Sequence, residues 1–262
     1  MGGGITLGKV KQALQNGRLQ IGTWLQTNSP VSAEILAHVG FDWIVADCEH
    51  SETHIAEFSQ IARGIYGRDT ETFVRVREND LMAIRQFLDM GANGVIVPLV
   101  NTAEDAKRAV AAAKYPPVGI RGFGWARCNN WGMDFDRYAA TANDEIAVIV
   151  MIESKEAVEN IDEILSVDGV DGVFIGPYDM SGSYGCVGDT ENPIVRAACS
   201  KVAAECKKHR KTAGRHIVIP TQQNVAQAIA EGFTFIALGT DIAFLSEGAN
   251  KAKSMVLGML KE

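Results

Sequence analysis

The stretch Gly169-Val170-Asp171-Gly172-Val173-Phe174-Ile175-Gly176 joins a helical pattern to a short apolar strand. A glycine just past a helix adopts the left-handed conformation that ends the helix without the strain of a Cβ atom. The same arrangement precedes three other apolar runs, at Gly40-Phe41-Asp42, Gly91-Ala92-Asn93 and Gly232-Phe233-Thr234. These equivalent joints indicate one repeated βα construction rather than two unrelated domains.

Eight β-branched runs alternate with helical patterns, which is typical of a parallel sheet with crossover helices. The chain of 262 residues suits a single barrel of this kind. We therefore predict the α/β class, as a (β/α)8 TIM barrel formed by one domain over residues 1–262. The predicted strands are Ile21–Leu25, Trp43–Asp47, Thr72–Val76, Gly94–Pro98, Ile146–Glu153, Gly172–Gly176, His216–Pro220 and Phe235–Gly239. The helical patterns are Val31–Val39, Ile55–Tyr66, Leu81–Met90, Ala103–Ala113, Ala157–Ser166, Pro193–His209, Val225–Glu231 and Ile242–Leu260.

Composition and charge narrow the classes of function. The chain has 25 Lys and Arg residues against 32 Asp and Glu residues, a formal net charge of −7, and no basic stripe. This balance argues against binding to nucleic acid or to an anionic membrane. The longest apolar run, Ile146–Ile152, is far shorter than the ~20 residues that a spanning helix needs. The N-terminus lacks a secretory pattern and the five cysteines lack metal spacing, so we expect a cytoplasmic protein with reduced thiols.

Polar side chains lie at the predicted ends of several strands, where barrel enzymes carry their chemistry. Glu153 and Asp179 end neighbouring strands, and a pair of carboxylates suits a hard cation such as Mg²⁺ or Mn²⁺. An equally weighted alternative is that Glu153 faces a helix N-terminus and Asp179 caps a turn. His50, beside Asp47, is a candidate general base, although an exposed or structural histidine is the commoner case. The other histidines, His38, His54, His209 and His216, are interpreted as structural.

The remaining candidate site residues are an arginine within a strand and three residues of one long loop. Arg75 lies between Val74 and Val76, so its side chain points to the other face of the strand, where it could stabilise an oxyanion. A salt bridge with Asp89 is a compatible alternative. The stretch Lys114–Asp134 is too long for an ordinary connection, and its Trp125, Arg127 and Trp131 either close over a substrate or pack at a subunit interface. No predicted strand end carries the lysine of a Schiff-base aldolase.

These motifs together resemble the HpcH/HpaI family of metal-dependent, class II pyruvate aldolases, of the 4-hydroxy-2-oxoheptanedioate or 2-dehydro-3-deoxyglucarate aldolase type. The same superfamily contains the citrate-lyase β chains. The likeness covers nearly the whole chain. It is carried by Gly40-Phe41-Asp42-Trp43, Asp47-Cys48-Glu49-His50, Val74-Arg75-Val76, Pro116-Pro117-Val118-Gly119-Ile120-Arg121-Gly122, Ile152-Glu153 and Gly169 to Ser181.

The resemblance implies a carbon–carbon lyase that cleaves a 4-hydroxy-2-oxo acid to pyruvate and an aldehyde, or joins them, through a metal-stabilised pyruvate enolate. It implies that Glu153 and Asp179 hold Mg²⁺ or Mn²⁺, with Co²⁺ as a further option. Arg75 would stabilise the enolate oxygen, and His50, oriented by Asp47, would act as base. The other implied site residues are Asp89 as a support for the site and Gly176, Pro177, Tyr178, Met151, Trp125 and Arg127 as substrate contacts.

The resemblance also implies a homo-oligomer, commonly a hexamer or trimer of dimers, in which the last helix packs on a neighbouring barrel. A helix packing on its own barrel would have the same sequence pattern. The small-molecule partners would be a 2-oxo acid and an aldehyde.

The chain departs from the family pattern at the substrate end. Met151 stands where the family commonly has Gln, Tyr178 replaces a smaller residue, and the long loop is one or two residues short around Gly124–Arg127. These changes bear on which aldehyde is used. Two other functions stay open: a related enzyme acting on an acyl-CoA ester or oxaloacetate, and a metal-binding or metabolite-binding barrel without catalysis.

Overall fold

The computed structural model describes residues 8–259, which form a closed barrel of eight parallel strands in chain order. Strand β8 pairs with β1 and closes the barrel. The predicted (β/α)8 barrel is therefore confirmed. Residues 1–7 and 260–262, including the predicted helix end at Leu260, lie outside the described residues. The strands are β1 Gln20–Leu25, β2 Trp43–Asp47, β3 Glu71–Arg75, β4 Gly94–Val97, β5 Ala147–Ile152, β6 Gly172–Ile175, β7 Thr212–Ile217 and β8 Phe235–Thr240.

The helices surround the strands, and several begin at a polar residue whose side chain accepts a hydrogen bond from the first turn, as at Ser29, Asp80 and Thr102. The helices are α1 Lys9–Gln15, α2 Pro30–Val39, α3 Ile55–Ile65, α4 Leu81–Asp89, α5 Ala103–Ala113, α6 Phe135–Glu145, α7 Lys155–Glu159, α8 Ile161–Leu165, α9 Pro177–Ser183, α10 Pro193–Lys208, α11 Gln222–Ala230 and α12 Asp241–Met259.

Two predicted elements are wrong in extent. The helix predicted as Ala157–Ser166 is two helices, α7 and α8, separated at Asn160, whose side chain donates to Asn101 O at 2.9 Å. The strand predicted as His216–Pro220 begins four residues earlier, because β7 pairs with β6 from Thr212 onward. The apolar run that suggested the strand continues past its end and is exposed at Ile219. Helices α1, α6 and α9 were not predicted.

Aromatic side chains fill the inside of the barrel. Trp43 stacks on Phe235 with ring centroids 3.9 Å apart, and Phe73 and Phe174 complete the layer. Glycine is required at Gly22 because an added Cβ would lie 2.1 Å from the indole of Trp43. A core packed in this way leaves open space only at the ends of the strands.

The two ends of the barrel differ in role. We call the face where the strands end the mouth and the face where they begin the base. Helices run antiparallel to the strands, so helix α1 and the C-terminal ends of α2 to α5 lie toward the base. Helix α12 has Asp241 buried in its first turn, and most of its remaining described side chains are exposed. Across residues 8–259, no helix combines the length and apolar character that crossing a membrane requires.

Glu71, at the start of β3, anchors α1 across the base. Its Oε1 accepts from Lys9 N at 2.7 Å and its Oε2 from Val10 N at 3.2 Å. Burial raises the pKa of Glu71 to about 7, against the lowering effect of these hydrogen bonds and of the Lys9 charge. Below about pH 7, the folded protein therefore holds this carboxyl mainly in its protonated form.

Glu71→Gln should flatten the pH dependence of stability. A carboxyl whose folded pKa is raised stabilises the fold fully below its unfolded pKa of 4.5, and loses that contribution as pH rises through 7. The free energy of unfolding should therefore fall by about 3 kcal/mol more in the wild type than in the variant between pH 4.5 and about pH 8. Urea unfolding of both proteins across this range measures the difference, and equal slopes would contradict the assignment.

Candidate active site

Asp47, at the end of β2, is fully buried and accepts two hydrogen bonds from the guanidinium of Arg75, at the end of β3. Arg75 Nε donates to Oδ1 at 2.9 Å and Nη2 to Oδ2 at 2.7 Å. The two residues meet because the register of β2 and β3 places them opposite each other. Oδ1 also accepts from the backbone N–H groups of Glu49 and His50, and Oδ2 from Gln26 Nε2. Burial raises the pKa of Asp47, but Arg75 and the other donors bring it below its ordinary value.

Arg75 keeps donors free for a ligand although it is firmly held. A guanidinium has five N–H groups, and the fork with Asp47 uses two of them. Its Nη1 lies 3.0 Å from Glu49 Oε2, and its Cζ lies 4.5 Å from the ring centroid of Trp24. The remaining donors belong to a planar cation, fixed in place, that lines the cavity at the mouth.

Three carboxylates gather beside this cation. Glu153 follows β5, is only 6% exposed, and accepts at Oε1 from Leu99 N at 2.7 Å. Leu99 has a φ of 55°, an uncommon backbone conformation for a leucine. Burial raises the pKa of Glu153, the Leu99 hydrogen bond lowers it, and the charges of Glu49 and Asp179 raise it again, to a net value above the ordinary one. Crowded negative charge of this kind favours a bound cation.

Glu49 provides a second indication that this part of the mouth favours a bound cation. Its Oε2 is buried and accepts no hydrogen bond from the described residues, although it forms an ion pair with Arg75 Nη1. Burial raises the pKa of Glu49 and the charge of Arg75 lowers it, with a net result above the ordinary value. Within the described chain, this buried carboxylate oxygen lacks the second partner that such atoms normally have.

Gly176 makes room for Glu153 at the mouth. A Cβ at Gly176 would lie 2.9 Å from Glu153 Cβ and 3.1 Å from its Oε2, so the carboxylate packs against bare backbone. The next residues, Pro177, Tyr178 and Asp179, begin α9, and the last two are exposed. Glu153 and Asp179 follow the neighbouring strands β5 and β6, and the charge of Asp179 is one of the causes that raise the pKa of Glu153.

His50 lies next to these groups but is oriented differently from the prediction. Its side chain is 63% exposed, and its Nε2 lies 3.8 Å from Glu49 Oε2. Asp47 accepts from the backbone N–H of His50 and not from the imidazole. The expectation that Asp47 orients the His50 ring is therefore wrong, because Arg75 and Gln26 occupy that carboxylate.

A cavity of about 450 Å³ opens at the mouth, larger than a three-carbon acid requires. Arg75, Met151 and Asp179 line it, as do Gly176, Pro177 and Tyr178 among the predicted substrate contacts. Residues that sequence reasoning did not assign to the site also line it: Trp24, Gln26, Arg196, Cys199, Ser200, Arg215, His216, Asn224 and Gln227. Strand periodicity would have placed Trp24 inside the barrel, since it alternates with outward residues.

Three predicted site residues lie at the base instead. Asp89 ends α4 and accepts from Arg121 Nη2 at 2.8 Å. Arg127 is buried and donates to Met90 O at 3.0 Å, while Trp125 of the same loop is 80% exposed. Asp89, Trp125 and Arg127 therefore lie away from the mouth of their own barrel, and their part in the site stays a prediction. The long loop lies at the base because it follows α5, which ends there. The suggested pairing of Arg75 with Asp89 is wrong, because Arg75 pairs with Asp47 and Asp89 pairs with Arg121.

Another group with metal-binding residue types lies outside the barrel. The carboxylates of Asp162 and Glu205 lie close to His209. Lys208 Nζ already lies 2.8 Å from Asp162 Oδ1 and 3.0 Å from Glu205 Oε2, and His209 Nε2 lies 2.9 Å from the same Asp162 atom. This cluster is an exposed salt-bridge network whose central cation is a lysine.

Known proteins resemble this chain in sequence and in structure. Residues 20–247 match the family described as HpcH/HpaI aldolase/citrate lyase. A 4-hydroxy-2-oxo-heptane-1,7-dioate aldolase of Shigella boydii is 40% identical over 241 residues, which are 91% of each chain.

Two solved structures share the barrel. An HpcH/HpaI aldolase/citrate lyase family protein from Burkholderia cenocepacia has a TM-score of 0.91 at 31% identity, covering 95% of this chain and 99% of that one. A citrate synthase has a TM-score of 0.86 at 27% identity, covering 97% and 99%. The family match spans most of the barrel and the Shigella relative spans nearly the whole chain, so this chain belongs to the HpcH/HpaI aldolase/citrate lyase family.

Proposed function

We propose that this protein is a class II aldolase that cleaves a 4-hydroxy-2-oxo acid to pyruvate and an aldehyde, and catalyses the reverse addition. The observation that carries the proposal is that a guanidinium fixed by Asp47, that of Arg75, lies at the mouth near the carboxylates of Glu153 and Asp179. The name of the Shigella relative, a 4-hydroxy-2-oxo-heptane-1,7-dioate aldolase, supports this choice of reaction.

The carboxylates at the mouth fit a divalent metal ion. Glu49 and Glu153 both have raised pKa values caused in part by nearby carboxylates, and Glu49 Oε2 lacks a second partner. We assign Glu153 and Asp179 as the protein ligands, and oxygen ligands favour Mg²⁺ or Mn²⁺, with Co²⁺ as a further option. Such an ion would supply Lewis-acid polarisation of the 2-oxo group.

The chain's own residues account for the remaining chemistry. In cleavage, the C3–C4 bond breaks, its electron pair forms the enolate of pyruvate, and the C4 hydroxyl loses its proton as the aldehyde forms. Arg75 directs free N–H donors to the cavity, where they would bind the oxygen that gains charge. Asp47 holds that guanidinium in place. We propose His50 as the base for the C4 hydroxyl, because its Nε2 lies 3.8 Å from Glu49 Oε2, beside the carboxylates of the mouth.

The reaction is tested directly with purified protein, MgCl₂ or MnCl₂, pyruvate and a small aldehyde. We expect a 4-hydroxy-2-oxo acid to accumulate and EDTA to abolish its formation. Adduct formation that EDTA leaves unchanged would reject the metal assignment, and no adduct with any of several aldehydes would reject the aldolase.

His50→Ala should lower kcat by about 10²-fold or more, the usual contribution of a positioned base. The free energy of metal binding should stay the same, since His50 is not among the proposed ligands. Calorimetry with Mn²⁺ and a pyruvate-release assay measure the two quantities separately. His38→Ala, on the exposed surface of α2, is the matched control. Loss of Mn²⁺ affinity in His50→Ala would assign His50 to the metal site instead.

We further propose a cytoplasmic homo-oligomer, as a hexamer or trimer of dimers, with α12 exchanged between subunits. Support comes from the exposed apolar residues of α12, such as Leu245 and Met255, and from Trp125 at the base. Asp89, Trp125 and Arg127 stay in the proposed site only as residues of a neighbouring subunit. The five free cysteines fit a reducing compartment. Sedimentation equilibrium tests the assembly, and a monomer at micromolar concentration would contradict it.

A reaction on oxaloacetate or an acyl-CoA ester is the second candidate, favoured by the structural likeness to a citrate synthase. A CoA ester needs basic side chains for its phosphates, and in the basic pair Lys207-Lys208 the second lysine is already engaged with Asp162 and Glu205. Oxaloacetate is therefore the better alternative substrate. Decarboxylation of oxaloacetate faster than any retro-aldol cleavage would favour it.

A further inference from the structure

His216 is a cavity residue that the proposed mechanism does not use. It lies on β7, two residues after Gly214, whose added Cβ would lie 2.6 Å from Phe174 and 3.1 Å from Phe235 inside the barrel. His216 shares that inner face, and its ring lies 5.5 Å from the ring of Trp24. The imidazole therefore lines the cavity from β7, two strands along the barrel from β5, which leads to Glu153, and we place the aldehyde part of the substrate there.

The orientation of the imidazole decides what it can offer a ligand. Its Nε2 lies 2.8 Å from Gly239 O, and a carbonyl can only accept, so Nε2 carries the proton. Burial lowers the pKa of His216 to about 4, with a further lowering by the charge of Arg75. The ring is therefore neutral near pH 7, and Nδ1 is an acceptor without a hydrogen-bond partner among the described residues.

The charges around the cavity argue against an anionic aldehyde. Arg215 Nη1 pairs with Glu231 at 3.2 Å, and Arg196 Nη1 lies 3.7 Å from Glu191. Arg75 is held by Asp47, so every arginine that lines the cavity has a carboxylate partner. Arg75 is committed to the enolate oxygen, and a distal carboxylate on the substrate would have to compete with Glu191 or Glu231 for the other two arginines, whereas a hydroxyl group needs only an acceptor.

We infer that His216 Nδ1 accepts a hydrogen bond from a hydroxyl group of the aldehyde, so that the physiological aldehyde is hydroxylated and uncharged rather than carboxylated. This inference rests on the proposed aldolase function and names the class of its second substrate. Other polar side chains that line the cavity, including Ser200 and Gln227, offer further hydrogen-bond partners to longer hydroxylated aldehydes.

Two pairs of aldehydes test this subsite in the addition to pyruvate. Glycolaldehyde and acetaldehyde differ by a hydroxyl, and 4-oxobutanoate and butanal differ by a carboxylate. We expect a kcat/KM for glycolaldehyde about 10-fold or more above that for acetaldehyde, and no preference for 4-oxobutanoate over butanal. A tenfold preference is the size expected when a buried acceptor gains or loses one hydroxyl partner.

Substitutions of His216 distinguish its role as a hydrogen-bond acceptor from a structural role. His216→Asn places an amide oxygen near the position of Nδ1 and should keep most of the hydroxyl preference. His216→Gln keeps a donor for Gly239 O and His216→Leu keeps only bulk, so both should lose the preference about tenfold. Deuterium exchange into the methyl group of pyruvate should be unchanged in all three, because it requires no aldehyde.

The outcomes distinguish this inference from the function on which it rests. Wild-type protein that exchanges deuterium but prefers 4-oxobutanoate over butanal, or whose hydroxyl preference survives His216→Gln, would overturn the subsite alone. Wild-type protein without exchange and without adduct would overturn the aldolase function and the subsite together.

Discussion

Replacing Arg75 with methionine is expected to lower kcat/KM for retro-aldol cleavage about 10³-fold. Methionine can fill the space beside the Trp24 ring but removes the fixed cation at the cavity. Loss of one preorganised donor to a developing oxyanion costs about 10²-fold to 10³-fold. The change should appear mainly in kcat, because the enolate gains its charge only as the C3–C4 bond breaks.

The stability of the Arg75→Met variant must be measured together with its activity, because the substitution leaves Asp47 buried without its charged partner. Urea unfolding measures that loss, and Arg75→Lys retains a cation without the two-point fork. Arg77→Met is the matched control, since Arg77 donates to Cys48 O and does not line the cavity. A folded Arg75→Met protein with wild-type kcat would reject the role of Arg75 in stabilising the enolate.

Glu153→Gln should weaken Mn²⁺ binding by at least about 100-fold and lower kcat/KM about 10³-fold at a fixed low metal concentration. The amide oxygen can still accept from Leu99 N, so the backbone around the site should be preserved. Activity should partly recover as the metal concentration rises, because Asp179 remains. Calorimetric titration with Mn²⁺ measures the affinity.

Glu156→Gln is the control for charge, since Glu156 lies three residues away, exposed in the first turn of α7. It should bind Mn²⁺ as the wild type does. Unchanged Mn²⁺ affinity in Glu153→Gln would mean that the metal binds elsewhere in the protein.

The sequence predicted the barrel because local signals and global topology agree. Gly40, Gly91, Gly169 and Gly232, singled out as helix ends, all have φ values between 90° and 95°. Strand β2 has its predicted bounds, Trp43–Asp47. The bounds of β7 were predicted less well, because the apolar run that suggested this strand extends beyond its last paired residue.

The site was predictable where a residue follows a strand and not where contacts depend on register. Glu153 and Arg75 reach the mouth because parallel strands end there. Asp47 was paired with His50 from closeness in sequence, whereas its partner, Arg75, is its neighbour across two strands. His216 was missed because the predicted β7 began at that residue, so its inward position relative to Gly214 was hidden.

The proton exchange of pyruvate tests the central claim most directly, because it requires the proposed metal site and Arg75 but no aldehyde. Protein loaded with Mn²⁺ is incubated with pyruvate in D₂O, and loss of the methyl proton signal is followed by NMR. We predict exchange well above the buffer rate, abolished by EDTA and strongly reduced in Arg75→Met and Glu153→Gln. Absence of exchange in wild-type protein that calorimetry finds to be metal-bound would contradict the claim that this barrel mouth forms a pyruvate enolate.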